Sequence, residues 1–316
     1  MSMPRLLNNG RLPPALIARL AANHTLHDLT VEADRAAFLA AHGAEIEALV
    51  TSAGIGADAA LIAALPKLRV ISSFGVGLDR IDLDAARQRG IAVGYTPDVL
   101  NDCVADTAFG LLIDAARSMS AADRFVRRGD WSAGRNFPLA RKVSGARLGL
   151  VGLGRIGRTI AQRSTGFDMV VRYHSRRPVN DVAWAHEPSL IDLARWADFL
   201  VVITAGGPAT RHLVNAEVLD ALGPEGFLVN VARGSVIDEA ALVRALSERR
   251  IAGAGLDVFE HEPEVPTAMF GLDNVVLLPH IASATRETRQ AMADRVFDNL
   301  HSFFAEGRLV SAAPSP

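Results

Sequence analysis

Three stretches of the chain carry the residue types that acid–base and anion chemistry require. Each sits in a turn marked by glycine or proline, just after an apolar run. NVARGSVID, residues 230–238, offers Arg233 directly before Gly234. GLDVFEHEP, 255–263, offers Asp257, Glu260, His261 and Glu262, and LLPHIAS, 277–283, offers His280 after Pro279. An arginine in such a turn can grip a carboxylate through a bidentate fork. A glutamate and a histidine on neighbouring strand ends can pair by a hydrogen bond, and the carboxylate then favours the imidazolium form. An imidazolium beside a ketone can give up a proton as hydride arrives at the carbon. On spacing alone each of these residues also has an ordinary structural reading, and a lone histidine is more often structural than catalytic.

A fourth stretch has the form of a phosphate cradle. In GLVGLGRIG, 149–157, the residues Gly152, Gly154 and Gly157 match G-x-G-x-x-G, directly after an apolar strand and opening a helix. The first glycine allows a tight turn, the second lets the backbone approach a pyrophosphate, and the third lets helix and strand pack closely. The helix expected next, RTIAQRSTG at 158–166, presents N–H groups and the positive end of a dipole at its start, and Arg155 and Ile156 between the glycines join them as cofactor-binding candidates. In such a fold an acidic residue about 20 positions past the glycines binds the ribose 2′-hydroxyl of NAD. VVRYHSRRPV, 170–179, has His174 and Ser175 there instead, followed by Arg176 and Arg177. A serine hydroxyl and two guanidinium groups suit a 2′-phosphate. The expected cofactor is therefore NADP(H), with NAD(H) possible; the plainer alternative is a solvated turn before Pro178. Arg172, ahead of the strand end, receives no role.

The elements that must position these turns alternate along the chain. Strand-like runs lie at 46–52, 69–73, 91–95, 147–152, 169–174, 198–203, 226–231, 251–256 and 275–278, with helical patterns between them. Residues 101–128 read as one long helix, and 286–306 as a last helix with nowhere to pack but the first domain. The alternation predicts an α/β protein of two doubly wound parallel-sheet domains. A Rossmann dinucleotide-binding domain at 98–287 is inserted in a flavodoxin-like substrate domain built from 1–97 and 288–316.

Bulk properties narrow the classes. The 316 residues carry a net charge of −2 and are 49% hydrophobic. That argues against a general nucleic-acid or membrane-surface role, which calls for a large positive excess. One cysteine, Cys103, allows no internal disulfide and no CxxC metal site, which fits a reducing cytoplasm. No apolar signal core and no membrane-length apolar run is evident, and no metal is expected.

GLGRIG, NVARGSVID, GLDVFEHEP and LLPHIAS, in this order and spacing, resemble the D-isomer-specific 2-hydroxyacid dehydrogenases, most closely their glyoxylate/hydroxypyruvate reductase branch. The resemblance runs from SSFGVGLDRID at 72–82 to the end of the 286–306 helix. It implies hydride transfer from NAD(P)H to a 2-oxo acid, giving a D-2-hydroxy acid. Arg233 would bind the substrate carboxylate and oxo oxygen. His280 would be the general acid in reduction and the base in oxidation. Glu262 would orient His280 and favour its imidazolium form, leaving Glu260 and His261 as exposed neighbours. The N–H groups of Val76 and Gly77 would hold the substrate carboxylate, and glycines at 75 and 77 independently suit close backbone approach to an anion.

Asp257 would lie near the nicotinamide ribose or amide, with Val231 and Ala232 lining the nicotinamide side. Thr204 and Ala205 would end a strand near the adenosine, and Ser283, Cys103 and Val104 would reach the cofactor. The resemblance also implies a homodimer through the nucleotide domain. The 101–128 helix and the Trp131 loop would be exchanged contacts, with Trp131 either reaching the partner's active site or only packing. TAGGPATRH at 204–212 departs from the family's usual threonine- and proline-containing stretch. Three alternatives stand beside the small-substrate reductase. They are a reductase of aromatic 2-oxo acids such as hydroxyphenylpyruvate, a phosphoglycerate-type dehydrogenase, and a dinucleotide-sensing, corepressor-like binding protein.

Overall fold

The apolar runs pair as two all-parallel sheets. In the computed structural model, which describes residues 3–314, the first sheet holds β1 (Arg5–Asn8), β2 (Thr25–Asp28), β3 (Ala48–Ser52), β4 (Val70–Phe74) and β5 (Ala92–Gly94), in the order β2-β1-β3-β4-β5. This is the flavodoxin-like order. The second sheet holds β6 (Arg147–Val151), β7 (Val170–His174), β8 (Ala185–His186), β9 (Phe199–Val202), β10 (Phe227–Asn230), β11 (Gly253–Leu256) and β12 (Val275–Leu277), in the order β12-β11-β10-β9-β6-β7-β8. Counted from β6, this is the Rossmann order 3-2-1-4-5-6 with a seventh strand added beyond the sixth. All nine sequence-based strands are present to within two residues at each end. The structure adds β1, β2 and β8 to them.

The chain gathers into two compact units. Residues up to Leu100 join those from Ala284 onward in one, and Asn101–Ser283 form the other. In the first unit every residue of β3 and β4 is buried, as befits a parallel sheet covered on both faces. The helix Arg286–Glu306 lies on this sheet, with Val296 carbonyl accepting from Ser72 Oγ at 3.2 Å. The buried Asn299 Nδ2 donates to Tyr95 carbonyl at 3.2 Å.

In the second unit every residue of β9, β10 and β11 is buried. The small residues of β11, GAGL, make room for the helix Asn101–Arg117. A methyl group placed on Gly255 would come within 2.8 Å of Leu111 Cβ. The single helix expected over 101–128 is in fact two. Ser118 adopts a left-handed conformation (φ +51°), and a second helix runs Met119–Arg127. Asp114 explains the break: its carboxylate accepts from Ser120 N–H at 2.8 Å and Ser120 Oγ at 2.5 Å, offering the backbone a local partner that competes with the helix.

Register decides where the polar turns fall. Val151 pairs with His174 and Val202, Val202 with Asn230, Asn230 with Leu256, and Leu256 with Leu277. Six strands therefore end in one row. The turns that follow carry Gly152, Ser175, Thr204, Arg233, Asp257 and His280. In open α/β sheets ligands bind beyond this edge, near the point where the strand order reverses, here between β6 and β9.

Candidate active site

The glycine turn fits a dinucleotide pyrophosphate. Gly152 has φ +102°, and a Cβ there would meet the Thr204 backbone at 2.9 Å; a Cβ on Gly157 would meet the Gly152 carbonyl at 2.6 Å. Both positions are sterically closed to any other residue. Gly154 differs: a Cβ there would meet nothing within 4 Å. The middle glycine thus faces open space over the start of the helix Arg155–Arg163. The neighbouring helices Leu190–Trp196, Ala216–Leu222 and Glu239–Ser247 are capped by the side chains of Ser189, Asn215 and Asp238. The helix Arg155–Arg163 has glycine at that position and no side-chain cap, so its positive end is turned toward that space.

Arg233 is launched from a turn held at both ends by one side chain. The buried Asn230 accepts from Ala232 N–H at 3.0 Å and donates from Nδ2 to the Arg233 carbonyl at 3.0 Å. Gly234 packs so tightly on the next turn that a Cβ would lie 1.9 Å from the Phe259 carbonyl carbon. The segment carrying Arg233 and the segment leading to Glu262 are therefore backbone against backbone. Nothing in local spacing marks Asn230 as functional. Its signal is a polar residue at the end of an otherwise apolar strand.

Asp257 is fully buried and works on the His280 turn. Its carboxylate accepts from Ile281 N–H at 2.7 Å and Ala282 N–H at 2.9 Å, while its carbonyl accepts from His280 N–H at 2.9 Å. These bonds hold His280 at φ +54°, a left-handed conformation that non-glycine residues seldom adopt. Burial pushes the Asp257 carboxyl up, against the two N–H bonds that pull it down. Thr107 on the helix Asn101–Arg117 adds a hydroxyl 3.3 Å from the Ala282 carbonyl.

Glu262 and His280 meet. His280 Nδ1 lies 2.7 Å from Glu262 Oε2, and Glu262 Oε1 accepts from Phe259 N–H at 3.1 Å. Burial raises the Glu262 carboxyl. The hydrogen bond and charge of His280, the Phe259 N–H and the Arg233 charge outweigh it and hold the group below the ordinary glutamate value. A carboxylate on Nδ1 keeps the proton there. That leaves Nε2 as the ring nitrogen without this bond, on a side chain 44% exposed.

After β7, Arg176 and Arg177 are exposed and Ser175 is half-buried. Ser175 Oγ donates to the Arg177 carbonyl at 2.7 Å, and His174 Nδ1 lies 3.0 Å from the Glu187 carbonyl. Arg172 acquires a role that its position in the sequence did not suggest, with its guanidinium 4.5 Å from the Trp196 ring centroid and 3.9 Å from Glu187.

Glu260 departs from the exposed position expected of it. Its side chain is 11% exposed, and its Oε1 is 2.9 Å from both Arg211 and His212, from the TAGGPATRH stretch. His261 is exposed. Val231 and Ala232 are buried, Thr204 and Ser283 half-buried, Ala205 exposed. On the helix Asn101–Arg117, Cys103 is half-buried and Val104 buried. In the first unit, Val76 and Gly77 follow β4 in a turn opened by Gly75. That glycine has φ +144°, and a Cβ on it would strike Ala53 Cβ at 2.5 Å. Thr96 pins the turn by exchanging bonds with Gly75 N–H at 3.1 Å and Gly75 carbonyl at 3.0 Å.

Comparison with known proteins places this geometry. The profile described as "D-isomer specific 2-hydroxyacid dehydrogenase, NAD binding domain" matches residues 109–282. A hydroxyphenylpyruvate reductase of Plectranthus scutellarioides is 50% identical over 268 residues, 85% of each chain. A glyoxylate/hydroxypyruvate reductase of Arabidopsis thaliana is 48% identical over 278 residues, 88% of each chain. Among solved structures, an NADPH-dependent glyoxylate/hydroxypyruvate reductase of Sinorhizobium meliloti, crystallised with NADP and malonate, superimposes with a TM-score of 0.91 at 41% identity. The superposition covers 99% of this chain and 97% of that one.

Proposed function

The chain belongs to the D-isomer specific 2-hydroxyacid dehydrogenase family, and from that premise we propose that it is an NADPH-dependent reductase of a small 2-oxo acid, glyoxylate or hydroxypyruvate. The observation that carries this reading is the 2.7 Å Glu262–His280 pair standing in the same row of strand ends as Arg233 and the glycine turn.

Bound along the Asn101–Ser283 unit, the dinucleotide supplies the hydride. The chain does the rest. The glycine turn and the uncapped helix start receive the pyrophosphate. Arg176 and Arg177 receive the 2′-phosphate, Arg233 orients the substrate through its carboxylate and oxo oxygen, and His280 handles the proton. With Nδ1 committed to Glu262, imidazolium Nε2–H gives its proton to the oxo oxygen as the carbon accepts hydride. In oxidation neutral Nε2 takes the hydroxyl proton back. Glu262 orients the imidazole and Asp257 fixes the turn that aims it.

Two further assignments belong to this reading. The enzyme is a homodimer through the Asn101–Ser283 unit, supported by Trp131, 71% exposed, with exposed Met119 and Val126 nearby in sequence. It works in the cytoplasm, supported by Cys103 being the one cysteine of the sequence, which leaves no disulfide within the chain. A second substrate reading, an aromatic 2-oxo acid, is favoured by the 50% identity to a hydroxyphenylpyruvate reductase. Steady-state kinetics with glyoxylate, hydroxypyruvate and hydroxyphenylpyruvate, each with NADPH and NADH, separates the two. Highest kcat/KM with the small acids and NADPH is expected. Absence of turnover in all six combinations removes the enzyme reading in favour of a dinucleotide sensor.

A further inference from the structure

We infer that His186, on the two-residue edge strand β8, is a positioning residue that sets the preference for a 2′-phosphate without touching it. The inference rests on the reading that Arg176 and Arg177 meet that phosphate.

The Ser175–Val179 loop is held by two side chains that lie outside it and one within it. His186 Nε2 is 2.9 Å from the Ser175 carbonyl. The buried Tyr173 hydroxyl accepts from Val179 N–H at 2.8 Å, folding the far end of the loop back onto β7. Ser175 Oγ closes the middle on the Arg177 carbonyl at 2.7 Å. His186 is itself placed by its strand pairing with Tyr173 and by ring contact with Tyr173 at 5.2 Å. β8 adds almost nothing to the core, since Ala185 is exposed and His186 half-buried. What it adds is one hydrogen-bond donor aimed at one carbonyl.

That carbonyl matters because the peptide is planar and trans. Turning the Ser175 oxygen toward His186 turns the Arg176 N–H to the opposite side. An anion over the loop then faces an N–H and two guanidinium groups. With the peptide released, the Ser175 oxygen can rotate toward the anion and repel it. Two long arginine side chains on an unpinned loop would also lose more conformational entropy on binding.

The probes are adenosine 2′,5′-bisphosphate and adenosine 5′-monophosphate, which differ only in the 2′-phosphate. Their binding to the full chain is measured by calorimetry beside NADPH and NADH kinetics. His186→Ala should weaken adenosine 2′,5′-bisphosphate and raise KM for NADPH by about three- to ten-fold, the scale of one hydrogen bond. Binding of adenosine 5′-monophosphate, KM for NADH and both kcat values should stay within about two-fold, which also reports an intact fold. His186→Gln, whose amide keeps a donor near the Nε2 position, should recover most of the loss. Unchanged bisphosphate affinity in His186→Ala, an equal loss with both nucleotides, or no recovery with glutamine overturns the inference. If Arg176→Ala/Arg177→Ala leaves the ratio of the two affinities at its wild-type value, the 2′-phosphate reading itself fails and takes this inference with it. A ratio that collapses there but survives in His186→Ala removes His186 alone.

Discussion

Glu262 Oε2 stands 2.7 Å from His280 Nδ1, and this contact decides which imidazole nitrogen is available for chemistry. Both oxygens of Glu262 are engaged, Oε1 by Phe259 N–H, so the carboxylate cannot swing away without losing a second bond. Replacing His280 by alanine removes the proposed proton donor and leaves the glycine turn and Arg233 in place. kcat for reduction should fall by ~10²–10⁴-fold, the usual contribution of a general acid, with NADPH binding retained. Steady-state kinetics with glyoxylate checks this, and near-normal kcat would make His280 structural.

The same pair predicts how stability depends on pH. Glu262 in the folded protein sits below its ordinary value of 4.5 because the His280 and Phe259 bonds outweigh the opposing effect of burial. The unfolded chain therefore binds more protons in the window between the lowered and the ordinary value. The contribution of Glu262 is complete above about 4.5 and is lost as pH falls through the lowered value. The thermal midpoint of Glu262→Gln should lie below that of wild type at neutral pH, and the gap should close as pH falls below the ordinary glutamate value. A gap that stays constant across this range would mean that the carboxylate charge contributes nothing to the fold.

Asp257 tests whether the His280 turn is built or incidental. Its carboxylate accepts two N–H groups at 2.7 and 2.9 Å in a fully buried position. An amide offers one oxygen and sets its NH2 against the other N–H. Asp257→Asn should cost about 1–3 kcal/mol, the scale of one unsatisfied buried donor. It should lower kcat by releasing His280 from its left-handed conformation. Chemical denaturation and kinetics on one preparation check both effects, and a variant with lowered stability and wild-type kcat would separate Asp257 from catalysis.

What could be read from the chain, and what could not, follows from how local each signal is. Strands such as β3, β9 and β10 are visible as apolar runs because every residue in them is buried. β1 (RLLN) and β2 (TLHD) carry too few apolar residues to stand out, and β8 has only two residues. The break at Ser118 depends on which way the Asp114 carboxylate points, which helical periodicity does not report. Glu260 looks like a surface residue in FEHEP, yet its partners lie 48 and 49 residues away at His212 and Arg211. Glu262, His280 and Arg233 are legible as residue types in marked turns. Asn230, Asp257's grip on the His280 turn and the closed contact at Gly234 exist only once strand register has aligned the turns.

Gly234 is the sharpest packing test of that alignment. A Cβ at this position would sit 1.9 Å from the Phe259 carbonyl carbon, so Gly234→Ala forces two backbones apart. Overpacking of this kind costs about 1–3 kcal/mol or more. Movement here displaces Arg233 and the approach to Glu262 together. The variant should be destabilised, and what remains folded should show kcat/KM for the 2-oxo acid reduced more than binding of adenosine 5′-monophosphate. Tolerance of alanine with unchanged kinetics would contradict the close approach of the two turns.

The proposed role of Arg176 and Arg177 in cofactor preference is testable in two ways by charge arithmetic. Both are exposed after β7, where an acidic residue would repel a 2′-phosphate and a guanidinium fork attracts it. Arg176→Ala/Arg177→Ala should raise KM for NADPH by about 10-fold or more, as expected from losing two charge-assisted contacts, and leave KM for NADH nearly unchanged. Because the pair is solvent-exposed, its attraction is screened by salt over about 8–10 Å at physiological ionic strength. In the wild type, raising salt from 50 to 300 mM (roughly halving the screening length) should therefore raise KM for NADPH more than KM for NADH. The double variant should lose that difference. An equal loss of both cofactors, or a salt effect that survives the double substitution, would place the selecting charge elsewhere in the second unit.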